Sequence, residues 1–205
     1  MDLDAAPRSR PLSRRRGRRL TASVSLPNLI TLGRLISVPV AIWLILSNEL
    51  MAAFVLFVVA GVSDAVDGFI AKRFDQRTEI GALLDPIADK SLLVSVYVTL
   101  GLSGNLPTWL VILVVFRDVM IIGGFLLSQT LAQPVRHNPI IISKINTALQ
   151  IALAGVQLAR LGFGAVDFSP IVQVLIYTVA LTTILSGTAY LVRWAKTLAG
   201  MEPAP

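Results

Sequence analysis

Asp64, Asp67, Asp85 and Asp89 stand inside two otherwise apolar stretches, each long enough to cross a bilayer. A carboxylate near mid-bilayer costs at least ~2.5 kcal/mol, so four together need compensation and mark function. Asp64 and Asp67 share one helix face, which Gly68 and Ala71 continue with small side chains. Gly81, Asp85 and Asp89 recur at four-residue spacing on the next stretch. A turn of roughly ten residues between the two stretches lets the aspartate pairs face each other. Like charges that close repel by several kcal/mol at an effective dielectric near 20, and divalent cations remove that cost. Two such ions, about 3.5 to 4 Å apart, suit displacement at phosphorus and leave one carboxylate free as a base. Pro86, between Asp85 and Asp89, removes a backbone donor, which fits either a kink that aims them or the ordinary placement of proline in the first helical turns. Asp118, taken singly, reads as a helix cap or a charge at a span end.

The elements that must hold these aspartates follow from composition. A hydrophobic content of 55% and a mean hydropathy of +0.75 exclude a soluble domain of 205 residues and predict an all-α integral membrane protein. The absence of cysteine excludes disulfides and thiolate ligands, leaving hard oxygen donors for ions such as Mg2+, Mn2+ or Ca2+. Apolar windows predict six transmembrane helices over 29–47, 51–71, 82–102, 107–128, 139–162 and 170–192. Between them lie Ser47-Asn48-Glu49, Ser103 to Pro107, Gln133 to Pro139 and Gly162 to Pro170, all rich in helix breakers.

Residues 1–24 form a basic tail in which seven arginines against Asp2 and Asp4 leave about +5 of the formal charge of +6, and it is expected to be disordered and drawn to anionic headgroups. It leads into a full-length apolar span without a small-residue cleavage site, so it reads as a topology signal and not as a cleavable leader. Residues 25–199 are the membrane domain and 200–205 a short C-terminal tail. The tail, Lys72-Arg73-Arg77, Arg136 with Lys144, and Arg193-Lys196 all fall on one side of a six-span arrangement, which places both termini in the cytoplasm. Trp43, Trp109 and Trp194 lie toward span ends as interface anchors, and Gly123-Gly124 and Gly155 are expected to permit close helix packing. Nothing points to nucleic acid.

Asp64-Ala-Val-Asp67-Gly68-Phe-Ile-Ala71-Lys72, then eight residues, Gly81, three residues, Asp85, three residues and Asp89 resembles the signature of CDP-alcohol phosphotransferases. The resemblance begins at Pro27-Asn28-Leu-Ile-Thr31-Leu-Gly-Arg34 and runs through the fifth span. It implies six membrane helices, a two-ion Mg2+ or Mn2+ site, and transfer of a substituted phosphate from a CDP-linked donor to an alcohol with release of CMP. Carried onto this chain, it implies that Asp64, Asp67 and Asp85 hold the metals, with Asp89 completing the site as general base. Asn28, Thr31, Gly68, Lys72 and Thr78 would line the CDP-lipid pocket. Lys72 stands where the family usually has arginine, which keeps the charge but loses a planar bidentate fork. Relatives are commonly homodimers.

Acceptors that carry phosphate need cations, which makes Arg117, Arg136 and Lys144 the acceptor-binding candidates. Arg117, about two turns inside the fourth span, calls for a phosphate or an aspartate of the quartet as partner. Phe116-Arg117-Asp118 and Ser143-Lys144-Ile145-Asn146-Thr147 resemble CMP-forming cardiolipin synthases more than phosphatidylglycerophosphate synthases, where Arg-Glu and Gly-Lys-x-Lys-Thr are commoner. The resemblance thus implies CDP-diacylglycerol as donor and phosphatidylglycerol as acceptor in the cell inner membrane, the site facing the cytoplasm. Glycerol 3-phosphate is the second acceptor. His137, the sole histidine, reads as an interfacial loop residue. A small cation transporter or channel would also place carboxylates in spans, but nearer midplane and with inverted repeats or broken helices.

Overall fold

The computed structural model describes residues 26–74, 79–130, 141–164 and 168–198, and side chains within 32–63, 90–124, 141–164 and 168–195. Among these residues the fold is all-α. The helices are α1 (Leu26–Leu46), α2 (Leu50–Phe74), α3 (Glu79–Leu102), α4 (Thr108–Thr130), α5 (Ile141–Phe163) and α6 (Ser169–Leu198). Each coincides with an apolar window, but α2 runs past Ala71 through Lys72 and Arg73, and α3 begins at Glu79. The connection is therefore residues 75–78, not ten residues, because charge ends an apolar window without ending a helix. Pro86 lies inside the continuous helix α3.

Two of the junctions close by the same hydrogen-bond pattern. Asn48 occupies the left-handed region at φ 63°, with Asn48 N–H donating to the Ile45 carbonyl and Glu49 N–H to that of Leu44. Gly104 at φ 72° ends α3 likewise, with its N–H on Gly101 and that of Asn105 on Leu100. Both are Schellman caps, in which a residue that tolerates positive φ satisfies the orphan carbonyls of the last turn.

Neighbouring helices close a ring in the order α1, α2, α5, α6, α4, α3, and α3 also meets α5 across it. Tyr97, Leu100, Leu110, Val114, Leu153, Leu158 and Val179 fill the interior with no exposed surface. The Tyr97 hydroxyl crosses from α3 to donate to the Gln150 carbonyl of α5 at 3.0 Å. At one end the junctions gather: the Gln157 amide donates to the Asn105 carbonyl, Phe163 meets Phe54 edge to face, and Gly162 abuts the backbone of Leu50 and Met51.

Large apolar side chains face outward on every helix, including Trp43, Val59, Leu102, Phe116, Ile141 and Val174. Arg117, Asp118, Asn146, Gln150, Gln157, Thr183 and Ser186 are buried instead. This reverses the soluble pattern and gives a surface that hydrocarbon solvates and water does not. Among the described residues, two segments, Ile141–Phe163 and Ser169–Ala195, are long and apolar enough to cross a membrane.

Candidate active site

Within the ring, α1, α2, α3 and α5 enclose a cavity of about 560 Å³. Its walls are mostly apolar, with Phe57, Val58 and Val62 from α2, Leu92 and Leu93 from α3, and Ile151 from α5. Arg34, Lys90 and Thr147 supply the polar lining. Val62 precedes Asp64 by two residues and Lys90 directly follows Asp89, so the cavity reaches the aspartate-bearing turns of both helices.

Helix bounds also fix the depth of those turns. Asp64 lies ten residues before Phe74 and Asp89 ten residues after Glu79, each about 15 Å along its helix from the connection at 75–78. Asp67 and Asp85 lie seven and six residues from the same helix ends, about 10 Å. The quartet thus forms two tiers of matching depth. Its hard carboxylate donors suit Mg2+ or Mn2+. The side chains of Asp64, Asp67, Gly68, Lys72, Asp85 and Asp89 fall outside the described ones, as do those of Asn28 and Thr31 on α1. Thr78, Arg136 and His137 lie outside the described residues.

Beside Asp89, a buried charge cluster links α3, α4, α5 and α6. The Lys90 ammonium donates to Asp118 Oδ2 at 3.1 Å and to the Thr147 hydroxyl at 3.3 Å. Arg117 Nη1 donates to Asp118 Oδ1 at 2.6 Å, and Nη2 donates to Ser186 at 2.7 Å and to the Ser143 hydroxyl. Asp118 is 1% exposed and Arg117 3%, whereas Lys90 keeps 22% and lines the cavity. Among the described residues the cluster holds two cations on one carboxylate.

These contacts revise three expectations. Asp118 is neither cap nor surface charge but the buried counter-ion of two helices. Arg117 finds its aspartate partner in the adjacent Asp118, while the quartet's side chains lie outside the described ones. It also lies thirteen residues before Thr130, about 20 Å from that helix end and deeper than two turns, where an ionic partner is more necessary still. Lys144 is exposed on the first turns of α5. Asn146, two residues on, is fully buried, and its carbonyl accepts from Thr182 at 2.7 Å and Thr183 at 2.9 Å. Lys90 was legible in principle: it is the sole basic residue of α3, and Asp118 is the sole acidic residue of α4.

Residues 24–188 match the family model for CDP-alcohol phosphatidyltransferase. The chain belongs to the CDP-alcohol phosphatidyltransferase family. Among similar members of that family, human cardiolipin synthase (CMP-forming) is 34% identical over 182 residues, covering 81% of this chain and 60% of the relative. The chloroplastic CDP-diacylglycerol–glycerol-3-phosphate 3-phosphatidyltransferase 1 of rice is 32% identical over 190 residues, covering 84% and 58%. The corresponding transferase of Rickettsia typhi is 31% identical over 172 residues, covering 81% of this chain and 94% of the relative. The chain thus spans less than two thirds of the rice and human phosphatidyltransferase relatives and nearly all of the bacterial one.

Proposed function

We propose that this phosphatidyltransferase moves a phosphatidyl group from CDP-diacylglycerol to phosphatidylglycerol, forming cardiolipin and CMP. The observation that carries the acceptor choice is Asn146. It stands where the Gly-Lys-x-Lys-Thr pattern of phosphatidylglycerophosphate synthases has its second lysine, and its side chain is locked against Thr182 and Thr183. An acceptor side with one lysine fewer suits the singly charged phosphodiester of phosphatidylglycerol better than the dianion of glycerol 3-phosphate. The cavity supports a lipid substrate, with apolar walls for an acyl chain and Arg34 in its polar lining on the charged side.

Asp64, Asp67, Asp85 and Asp89 would hold two Mg2+ or Mn2+ ions, which when bound neutralise the pyrophosphate and the charge that develops on it. Asn28, Thr31, Gly68, Lys72 and Thr78 would contact the CDP-lipid. Asp89 takes the proton of the acceptor hydroxyl as its oxygen forms the new bond to the lipid-side phosphorus. The bond from that phosphorus to the bridging oxygen breaks, and CMP leaves with the electron pair. Lys144 and Arg136 would meet the acceptor phosphate, with Arg117 behind them, held by Asp118. The six helices are read as six spans with both termini and the site on the cytoplasmic side of the inner membrane, and two copies as a homodimer.

Purified protein with CDP-diacylglycerol and Mg2+ or Mn2+ should release CMP when given phosphatidylglycerol. Asp89→Asn should fold normally and lose at least about a hundredfold in rate. Release only with glycerol 3-phosphate would transfer the assignment to phosphatidylglycerophosphate synthesis, and normal turnover by Asp89→Asn would refute the base.

A further inference from the structure

We propose that Asp118 is a positioning residue that acts through Lys90 to fix the rotation of α3 at the turn carrying Asp85 and Asp89. The inference rests on those aspartates holding the metal ions. Lys90 is the residue after Asp89, and its ammonium is held by Asp118 of α4 and Thr147 of α5. Asp118 uses its other oxygen for Arg117, which is itself anchored to Ser186 of α6 and Ser143 of α5. One turn of α3 is thereby referenced to three other helices at once.

The need for such a clamp follows from helix geometry. Carboxylates lie about 5–6 Å from the helix axis, so a rotation of about 20° moves them by about 2 Å. A metal constellation tolerates about 0.5 Å. Next to Lys90, the buried Leu92 and Leu93 add apolar packing, which restrains rotation without a preferred direction. The ion pair adds a directional restraint where the ligands need it. Asp118 is too deeply buried to touch a substrate, so its influence must pass through Lys90.

Mn2+ binding to the full-length protein in detergent, followed by the electron paramagnetic resonance signal of free Mn2+, tests this directly. Lys90→Met leaves Arg117 and Asp118 as a matched pair and should remain folded. It and Asp118→Asn should each weaken Mn2+ binding about tenfold or more, the usual effect of losing a partner behind a metal ligand. In CMP release, kcat should fall more than either substrate KM changes, and Asp118→Glu should recover part of both losses. A folded Lys90→Met protein with wild-type Mn2+ affinity overturns the clamp, and this variant decides the matter if Asp118→Asn does not fold. Loss of activity in Lys90→Met with wild-type behaviour in Asp118→Asn also overturns it, since Lys90 would then act on substrate directly. Wild-type protein that binds no Mn2+ would remove the metal reading and the clamp together, whereas Mn2+ binding without CMP release would leave the clamp standing and send the search to another alcohol.

Discussion

Asn146 accepts two hydroxyl hydrogen bonds in a site with no exposed surface, and this local fact limits what the position tolerates. Among the described side chains, Lys90 and Arg117 share the carboxylate of Asp118 nearby. Asn146→Lys would add a third cation among threonine hydroxyls. The expected cost is about 2.5–3.5 kcal/mol, the range for a charged side chain placed within a span. Thermal unfolding in detergent should show a clearly lowered midpoint, and the activity that remains should shift toward glycerol 3-phosphate. A folded Asn146→Lys protein with no gain in use of glycerol 3-phosphate would mean that the missing lysine does not set the acceptor, and the selectivity argument would fall. The four aspartates were legible from the sequence because their spacing is a local property of two helices. The Arg117 contact was legible only as a need for an anion. That the anion is its own neighbour, shared with Lys90, depends on α4 lying between α3 and α6, and helix order in a ring leaves no periodic trace.

Small residues divide at the scale of elements. Gly162 near the end of α5 lies so close to the start of α2 that an added Cβ would stand 2.9 Å from the Met51 nitrogen. Backbone cannot swing aside as a side-chain tip can, so Gly162→Ala should cost about 1–3 kcal/mol. Of the Gly123-Gly124 pair, only Gly124 packs, with a Cβ position 2.9 Å from the Trp194 ring, whereas Gly123 meets nothing within 4 Å. Gly155 is in ordinary contact with Phe57 at 3.8 Å. Gly123→Ala should therefore be neutral or stabilising by about 0.5–1 kcal/mol, as alanine replaces glycine in a helix. Gly124→Ala should lower the unfolding midpoint. Equal effects at both positions would mean that α4 does not present Gly124 to α6. Composition marks all four glycines alike; only the rotation of each helix tells which one a neighbour approaches. The extension of α2 through Lys72 and Arg73 has a similar cause, since hydropathy reports the edge of the bilayer and helical hydrogen bonding continues beyond it.

Across the whole molecule, polarity is distributed by end as well as by depth. The junctions at Ser47 to Glu49, Ser103 to Pro107 and Gly164 to Phe168 belong to one end, tied by Gln157 to Asn105 and by Gly162 against Met51. Lys90, Arg117, Asp118 and Ser143 meet on the other side of the Tyr97–Gln150 crossing, the side toward which α2 runs through Lys72 and Arg73. The excess of basic residues predicts that this second end faces the cytoplasm. A chain without cysteine is its own background for testing that orientation. Glu49→Cys and Ser103→Cys place thiols at exposed positions of the first end, and Ser13→Cys places one in the tail. In intact cells a membrane-impermeant maleimide should label the first two and spare Ser13→Cys until the membrane is opened. The reverse pattern would put the aspartates on the wrong side for a nucleotide made in the cytoplasm. Because both tiers of aspartates lie on the helix ends that meet at Lys72 and Arg73, the labelling pattern tests orientation and the proposed site together: a cytoplasmic basic end would put the aspartates on the side where a charged nucleotide donor arrives.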